Sequence, residues 1–161
     1  MEYAENVNYW KTGQSSPDTW IDRAQREIVA AGGVVVADGF MRERTGRAAY
    51  MLAFTIAEEH FKMVWPVLES KSGNLRAARV QAATSLYHEV KAACVKAKFL
   101  GTRTAFLAYW LLPDGRAAAE VTSAELSATL PQLFGGRPAL TMETIAGESL
   151  IEAEIQALSQ G

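Results

Sequence analysis

Apolar residues recur at helical spacing in two parts of the chain. The first part follows Ser16-Pro17, a pair typical of a helix start, and ends at Gly32-Gly33. Its apolar positions are Trp20, Ala24, Ile28 and Ala31. The second part covers 75–100, between the favourable N-cap residue Asn74 and Gly101. Its apolar positions are Leu75, Ala78, Ala82, Leu86, Val90, Ala93 and Ala97. We predict a helix over each part.

Strand-like patterns fill the region between these helices. Residues 34–41 (VVVADGFM) form an apolar run that is typical of a buried strand. Residues 48–56 and 61–68 alternate between apolar and other side chains, as strands with one buried face do. Pro66 indicates that the last of the three strands lies at an edge or ends there. The two short polar segments between the strands are 42–47 and 57–60. We therefore predict an antiparallel meander.

The region after the long helix predicts a further pair of strands. Residues 102–112 and 116–121 flank Pro113-Asp114-Gly115, a sequence typical of a hairpin turn. A short helix is predicted from residue 122 to about residue 131, because Thr122 and Glu125 are spaced as in a capping box. The predicted fold class is α+β: an antiparallel sheet, made of a βββα core followed by a β-hairpin, with helices mainly on one face.

The length of 161 residues fits one domain with a small appendage. We assign 1–134 to a single α+β domain and 135–161 to a linker followed by an acidic amphipathic helix. The polar arm 1–14 is expected to lie on the domain or on a partner. Cys94 is the only cysteine, and no apolar run reaches the ~20 residues of a membrane helix. We expect a cytoplasmic protein that does not bind membranes.

Charge is distributed unevenly along the chain. The net charge is −2, but residues 61–104 carry eight Lys or Arg and only two Asp or Glu. The segments before and after this block have net charges of −3 and −5. A basic block between acidic segments indicates an anionic partner, although a solvated lysine-rich helix face would give the same pattern.

The loop before the long helix is the first candidate site. Ser70-Lys71-Ser72-Gly73-Asn74 precedes a helix N-terminus, where free N–H groups favour an anion. The loop lacks the first glycine and the residue order of a phosphate-binding P-loop. The alternative is a plain strand-to-helix connection with an asparagine cap. The candidate anion-binding residues here are Lys71, Ser72, Asn74, Arg76 and Arg79.

A basic stripe on the long helix is the second candidate site. Tyr87, Lys91 and Lys98 lie within about 60° of Arg76 on the helix, and Arg103 follows the helix end. An aromatic ring among cations is typical of single-stranded nucleic-acid grooves, although Tyr87 could simply pack against lysine stems. His60, His88 and Cys94 have no neighbours that would complete a metal site or a catalytic pair. We predict no catalytic residue, metal or cofactor.

The order of strands and helix resembles a known family. FKMVWPVL as third strand, followed by AARVQAATSLYHEVKAACVKAKFLG, resembles the βββα core of phage and eukaryotic single-strand annealing proteins over about 34–101. The resemblance implies single-stranded DNA in a groove between sheet and helix, and oligomeric rings. The chain as a whole looks like a protein of a phage or other mobile element.

The leading hypothesis is a non-enzymatic protein that binds nucleic acid, prefers single-stranded DNA and acts in annealing or recombination. A homo-oligomer is expected. One alternative is a protein or enzyme that binds a small anion through the 70–76 loop. The other is an oligomeric assembly protein that binds no nucleic acid.

Overall fold

The computed structural model describes residues 1–42 and 46–122, in which a three-stranded antiparallel sheet packs against two long helices. The strands are β1 (Val34–Arg42), β2 (Ala48–Ile56) and β3 (Glu59–Pro66), in that order across the sheet. The helices are α1 (Pro17–Ala30), α2 (Leu75–Leu100), α3 (Thr102–Ala105) and α4 (Ala118–Thr122), with 3₁₀ turns at Ala4–Asn6 and Leu107–Tyr109. The predicted α+β class and the meander are confirmed.

The remaining predictions concern membrane helices and the C-terminal part of the chain. No helix in the described residues is long and apolar enough to cross a membrane. The predicted domain boundary at residue 134 and the helix predicted in 135–161 lie outside the described residues. The short helix predicted from residue 122 onwards also continues beyond them.

Both long helices begin where the sequence indicates. The Ser16 hydroxyl accepts a hydrogen bond from the backbone N–H of Thr19 at 3.3 Å and caps α1. The Asn74 side chain accepts one from the N–H of Ala77 at 3.0 Å and caps α2. Gly101 ends α2 with a φ of 85°, a backbone conformation that favours glycine. These local signals explain why the predicted helices agree with the structure.

The core lies between the helices and one face of the sheet, which we call the inner face. Alternate residues of β2 point into it, and Leu52 and Phe54 are almost fully buried. The rings of Phe54 and Phe61 have centroids 5.5 Å apart, and Phe106 lies 5.3 and 5.4 Å from them. Burial of each phenylalanine contributes about 1.5–3 kcal/mol. The alternation predicted for these two strands is thus confirmed.

The first strand is where predicted, but the prediction that it is buried is wrong. Val34 and Val36 are 63% and 65% exposed, and only Val35 packs on the core. β1 is an edge strand, and the helices cover mainly its neighbours. A run of apolar residues indicates burial on both faces only where layers cover both faces. The residues of β1 themselves do not reveal that it lies at the edge, whereas Pro66 indicates an edge position or a strand end for β3.

The hairpin predicted over 102–121 is not confirmed. The first of its two segments is largely helical, in α3 and the following 3₁₀ turn. Ala105 and Phe106 are both buried, and an alternating strand would place such neighbours on opposite faces. The turn remains, because the Leu112 N–H donates to the Arg116 carbonyl at 2.9 Å and Leu111 bridges Ala117.

The turn between β2 and β3 contains two residues in an unfavourable conformation. Ala57 and Glu58 have φ angles of 51° and 64°, the left-handed region that a two-residue hairpin turn requires. We expect Glu58→Gly to stabilise the fold by about 0.5–1 kcal/mol in urea unfolding, since glycine adopts this φ without a steric cost. Glu58→Gln is the control, because it removes the same charge and keeps the Cβ. Equal stability of the two variants would contradict the prediction.

Candidate functional site

In the loop for which the sequence predicts anion binding, the hydrogen-bond donors contact the chain's own Glu5 carboxylate. Its carboxylate accepts hydrogen bonds from the backbone N–H groups of Lys71 and Ser72, both at 3.1 Å. The hydroxyls of Ser70 and Ser72 donate to it at 2.6 and 3.0 Å. Asn74 caps the helix. The loop donors are therefore used to attach the N-terminal arm to the domain.

Backbone hydrogen bonds and a buried side chain also attach the arm to the domain. The Ala4 N–H donates to the Glu69 carbonyl at 2.8 Å. The buried Gln81 side chain of α2 donates to the carbonyls of Ala4, Val7 and Asn8 at 2.8–2.9 Å. Of the two places expected for residues 1–14, the domain surface is the one observed.

The attachment of Glu5 makes it sensitive to acid. The Ser70 hydroxyl, followed by the Ser72 and Lys71 amides, lowers the pKa of Glu5 from 4.5 to about 2. A lowered pKa stabilises the fold fully above the unfolded-state value, and this contribution is lost as the pH falls from about 4.5 towards 2. We expect Glu5→Gln to accelerate amide hydrogen exchange in residues 3–8 at neutral pH. Below about pH 4.5 these amides should lose protection in the wild type, and this loss should be smaller in the variant. The control is Glu2→Gln in the exposed neighbouring residue, and identical exchange in both variants would contradict this prediction.

A cleft of about 680 Å³ lies beside that loop, between the second half of β1 and the first turns of α2. α1 begins at the border of the cleft and does not extend over this part of β1, which Arg79 of α2 contacts through its side chain. Phe40 lines the cleft and is 47% exposed. The charged lining residues are Arg42, Arg47, Arg76, Arg79, Asp18 and Glu69. We call this feature the arginine cleft.

Arg79 is held in place by two aromatic rings. Its guanidinium carbon lies 4.2 Å from the centroid of Phe40 and 6.0 Å from that of Tyr50. Its Nε donates to the Tyr50 hydroxyl at 3.2 Å. Burial raises the pKa of Tyr50 above its ordinary value, so the phenol stays neutral. The position of Arg79 is thus fixed, while its terminal nitrogens form no hydrogen bond or ion pair within residues 1–42 and 46–122.

The other arginines of the cleft approach from two directions. The Arg42 guanidinium donates to the Gly46 carbonyl at 3.1 Å, and Arg47 precedes β2. Arg76 is exposed on the first turn of α2. Within residues 1–42 and 46–122, none of the four guanidinium groups forms an ion pair with a carboxylate. The cleft therefore contains four cations and two separate carboxylates, an excess of positive charge.

Tyr87 lies away from this cleft and already contacts two other rings in tilted arrangements. Its ring centroid is 5.4 Å from that of Trp20 on α1 and 5.1 Å from that of His88. Tyr9 of the arm stacks on His88 at 4.8 Å, and the Lys91 ammonium lies 5.8 Å from the Tyr87 ring. These contacts join the arm, α1 and α2. Tyr87 is half-buried, so little of its ring is available to a base.

The remaining predicted residues lie toward the other end of α2. Lys98 is exposed near the helix end. Arg103 forms an ion pair with Glu59 and lies 4.9 Å from the Trp110 ring. The hydrogen bond from Arg103 lowers the pKa of Glu59. Val80, which lies on the stripe between Arg76 and Tyr87, is buried. The predicted stripe is thus not one exposed surface.

Three residues of the cleft were not predicted from the sequence. Phe40 was assigned to a buried strand, and Arg42 and Arg47 to a charged turn. The available signal was the density of arginine in RERTGR, residues 42–47. Arg44 in that segment lies outside the described residues. Cys94 is buried against the Glu27 carbonyl, and burial raises the pKa of its thiol, as expected of a structural cysteine.

The geometry defines an α+β protein with an arginine-lined cleft between sheet and helix, an arrangement suited to phosphate or carboxylate groups. No protein-family model, curated protein or solved structure matches the chain.

Proposed function

We propose that this protein binds nucleic acid, with a preference for single-stranded DNA, through the arginine cleft and without catalysing a reaction. The observation that supports the proposal is the convergence of four arginines from three segments on one cleft, with no carboxylate paired to them in the described residues. Guanidinium groups bind phosphate oxygens in a bidentate manner. Arginines that lack a carboxylate partner can make such bonds without first breaking an ion pair.

Phe40 supports single-stranded over double-stranded nucleic acid. Almost half of its side chain is exposed within the cleft. A base can stack on an aromatic ring only when it is not already stacked between its neighbours in a duplex. Phe40 also contacts Arg79 and Tyr50, but it is more exposed than Tyr87, and we therefore assign to it the stacking role that the sequence indicates for Tyr87. The resemblance in strand and helix order to single-strand annealing proteins is consistent with this assignment.

The test is fluorescence anisotropy of labelled single- and double-stranded DNA with Arg76→Glu/Arg79→Glu, over a salt titration. Each arginine–phosphate contact is a charge-assisted hydrogen bond, so we expect at least about 10-fold weaker binding per arginine. A plot of the logarithm of affinity against the logarithm of salt concentration should have a slope of roughly −3 for four phosphate contacts. The slope of the variant should be about half as steep. Circular dichroism checks that the variant is folded.

Lys91→Glu/Lys98→Glu is the charge-matched control on the predicted stripe outside the cleft. We expect it to retain most of the affinity, with a small loss from the changed net charge. If this variant loses binding while the cleft variant retains it, the stripe binds the nucleic acid and the proposed site is wrong. If the wild-type protein does not bind DNA at low salt, the proposed function is wrong.

A second candidate is a small ligand that contains phosphate, bound in the same cleft. The cleft volume of about 680 Å³ lies within the range of about 300–1,000 Å³ that is common for small-molecule sites. The 70–76 loop is less suited to this role, because Glu5 already accepts its hydrogen bonds. A mononucleotide that binds as tightly as the oligonucleotide, and competes with it, would favour this second candidate.

A further inference from the structure

The two edges of the sheet differ in how they are protected. Beside β3, the Leu111 N–H donates to the His60 carbonyl at 2.9 Å, and Trp110 bridges Phe61. Pro66 ends that strand. Along β1, no residue of the described ranges pairs with the outer edge. A long exposed edge strand with apolar side chains is a template for pairing with another strand.

The two halves of β1 differ as well. The register against β2 shifts between Val35 and Ala37, and such a bulge disturbs the edge locally. The second half, residues 38–42, pairs regularly with β2. A Cβ added at Gly39 would meet nothing within 4 Å, so space is open over this glycine. The second half is thus the regular and uncovered part of the edge.

We propose that the β1 strands of two copies of this chain pair antiparallel along this edge, around a two-fold axis at Phe40. In this register Asp38 of each copy lies opposite Arg42 of the other, on the same face, which gives two pairs of opposite charge. Met41 of each copy lies opposite Gly39 of the other, where space is open. The register centred on Asp38 would pair all nine residues but would place two carboxylates opposite each other, an unfavourable arrangement.

The pairing has a consequence for the arginine cleft, although it does not depend on the proposed function. A two-fold axis of this kind is perpendicular to the sheet, so both inner faces point the same way. Phe40 and Arg42 line the cleft and lie beside the axis. The two clefts would therefore adjoin and form one longer surface, in which Arg47, Arg76 and Arg79 of both copies stay unpaired and each Arg42 is paired with Asp38 of the other copy.

Sedimentation velocity of the full chain over a concentration series, without nucleic acid, tests the pairing. We expect a reversible dimer in the wild type. Asp38→Asn should weaken it by about two- to thirty-fold, because two opposite-charge pairs are lost. Asp38→Arg should weaken it further, and Asp38→Arg/Arg42→Asp should restore it. Glu2→Gln, a neutralised carboxylate away from β1, should leave it unchanged. A monomeric wild type, or a dimer that Asp38→Asn strengthens, would overturn the proposal.

Cysteine cross-linking measures the register directly. Residues on the axis face their own copies, with Cβ atoms about 4.5–5.5 Å apart. We expect Phe40→Cys to form a covalent dimer under mild oxidation faster than Gly39→Cys or Asp38→Cys, and the wild type, whose only cysteine is the buried Cys94, to form none. Faster cross-linking at residue 38 or 39, or equal rates at all three positions, would overturn the register.

Discussion

Gly33→Ala is expected to destabilise the fold by about 3 kcal/mol, although it adds a single methyl group. A Cβ at this position would lie 2.7 Å from the Thr55 backbone carbonyl oxygen and 2.7–2.8 Å from side-chain carbons of Ile56 and Ile28. The side chains could rotate away, but the carbonyl belongs to the central strand of the sheet. The connection between α1 and β1 would have to move away from β2, and overpacking of this kind costs about 1–3 kcal/mol or more.

The measurement is urea unfolding followed by circular dichroism, with Gly39→Ala as the matched control. The control adds the same methyl group within β1, where it would meet no atom within 4 Å. Since alanine also loses less backbone entropy than glycine on folding, we expect the control to be as stable as the wild type or slightly more stable. Equal stability of the two variants would show that the close approach at Gly33 relaxes without cost.

Gln81→Met is expected to destabilise the fold by about 2–3 kcal/mol and to release the N-terminal arm. The Gln81 amide donates to three arm carbonyls, of which that of Ala4 is buried. Methionine has a similar size but cannot donate, and a buried carbonyl without a partner costs about 1–3 kcal/mol. The carbonyls of Val7 and Asn8 are partly buried and should recover some bonds with water.

Limited proteolysis and urea unfolding together separate the two parts of this expectation. The variant should be cleaved within the first 14 residues at protease concentrations that leave the wild-type arm intact. The control is Gln25→Met, which makes the same substitution at a half-buried position of α1. This variant should leave the arm protected. An arm equally protected in Gln81→Met and in the wild type would mean that Glu5 and Ala4 hold it without this side chain.

The elements that could be predicted are those whose signals are local. Asn74 and Gly101 are next to the helix they delimit, so both ends of α2 follow from neighbouring residues. The exposure of β1 could not be predicted from its own residues, because it depends on which strands of the sheet the helices cover. Residues 102–105 form a helix, which allows Ala105 and Phe106 to be buried together. That burial depends on the core around them and not on the segment alone.

The residues of the cleft also divide into those that a local pattern indicates and those that only the fold brings together. Arg76 and Arg79 were singled out because both lie in the first turns of one helix. Phe40, Arg42 and Arg47 lie about 30 residues earlier, and only the meander brings them to the same cleft. The chemistry of the 70–74 loop was predicted as anion binding, but no local pattern could identify Glu5 as the anion. That contact joins residues 65–67 positions apart.

The attachment of the arm has a consequence for the order in which the chain folds. The hydrogen bonds of the meander and of α2 connect residues close in sequence, whereas those of the arm span 65–77 positions. Closing a longer loop costs more chain entropy, and contacts of this kind form slowly. During synthesis the arm leaves the ribosome before Gln81 and the 70–72 loop are made. We expect the arm to be among the last of the described segments to reach its native position.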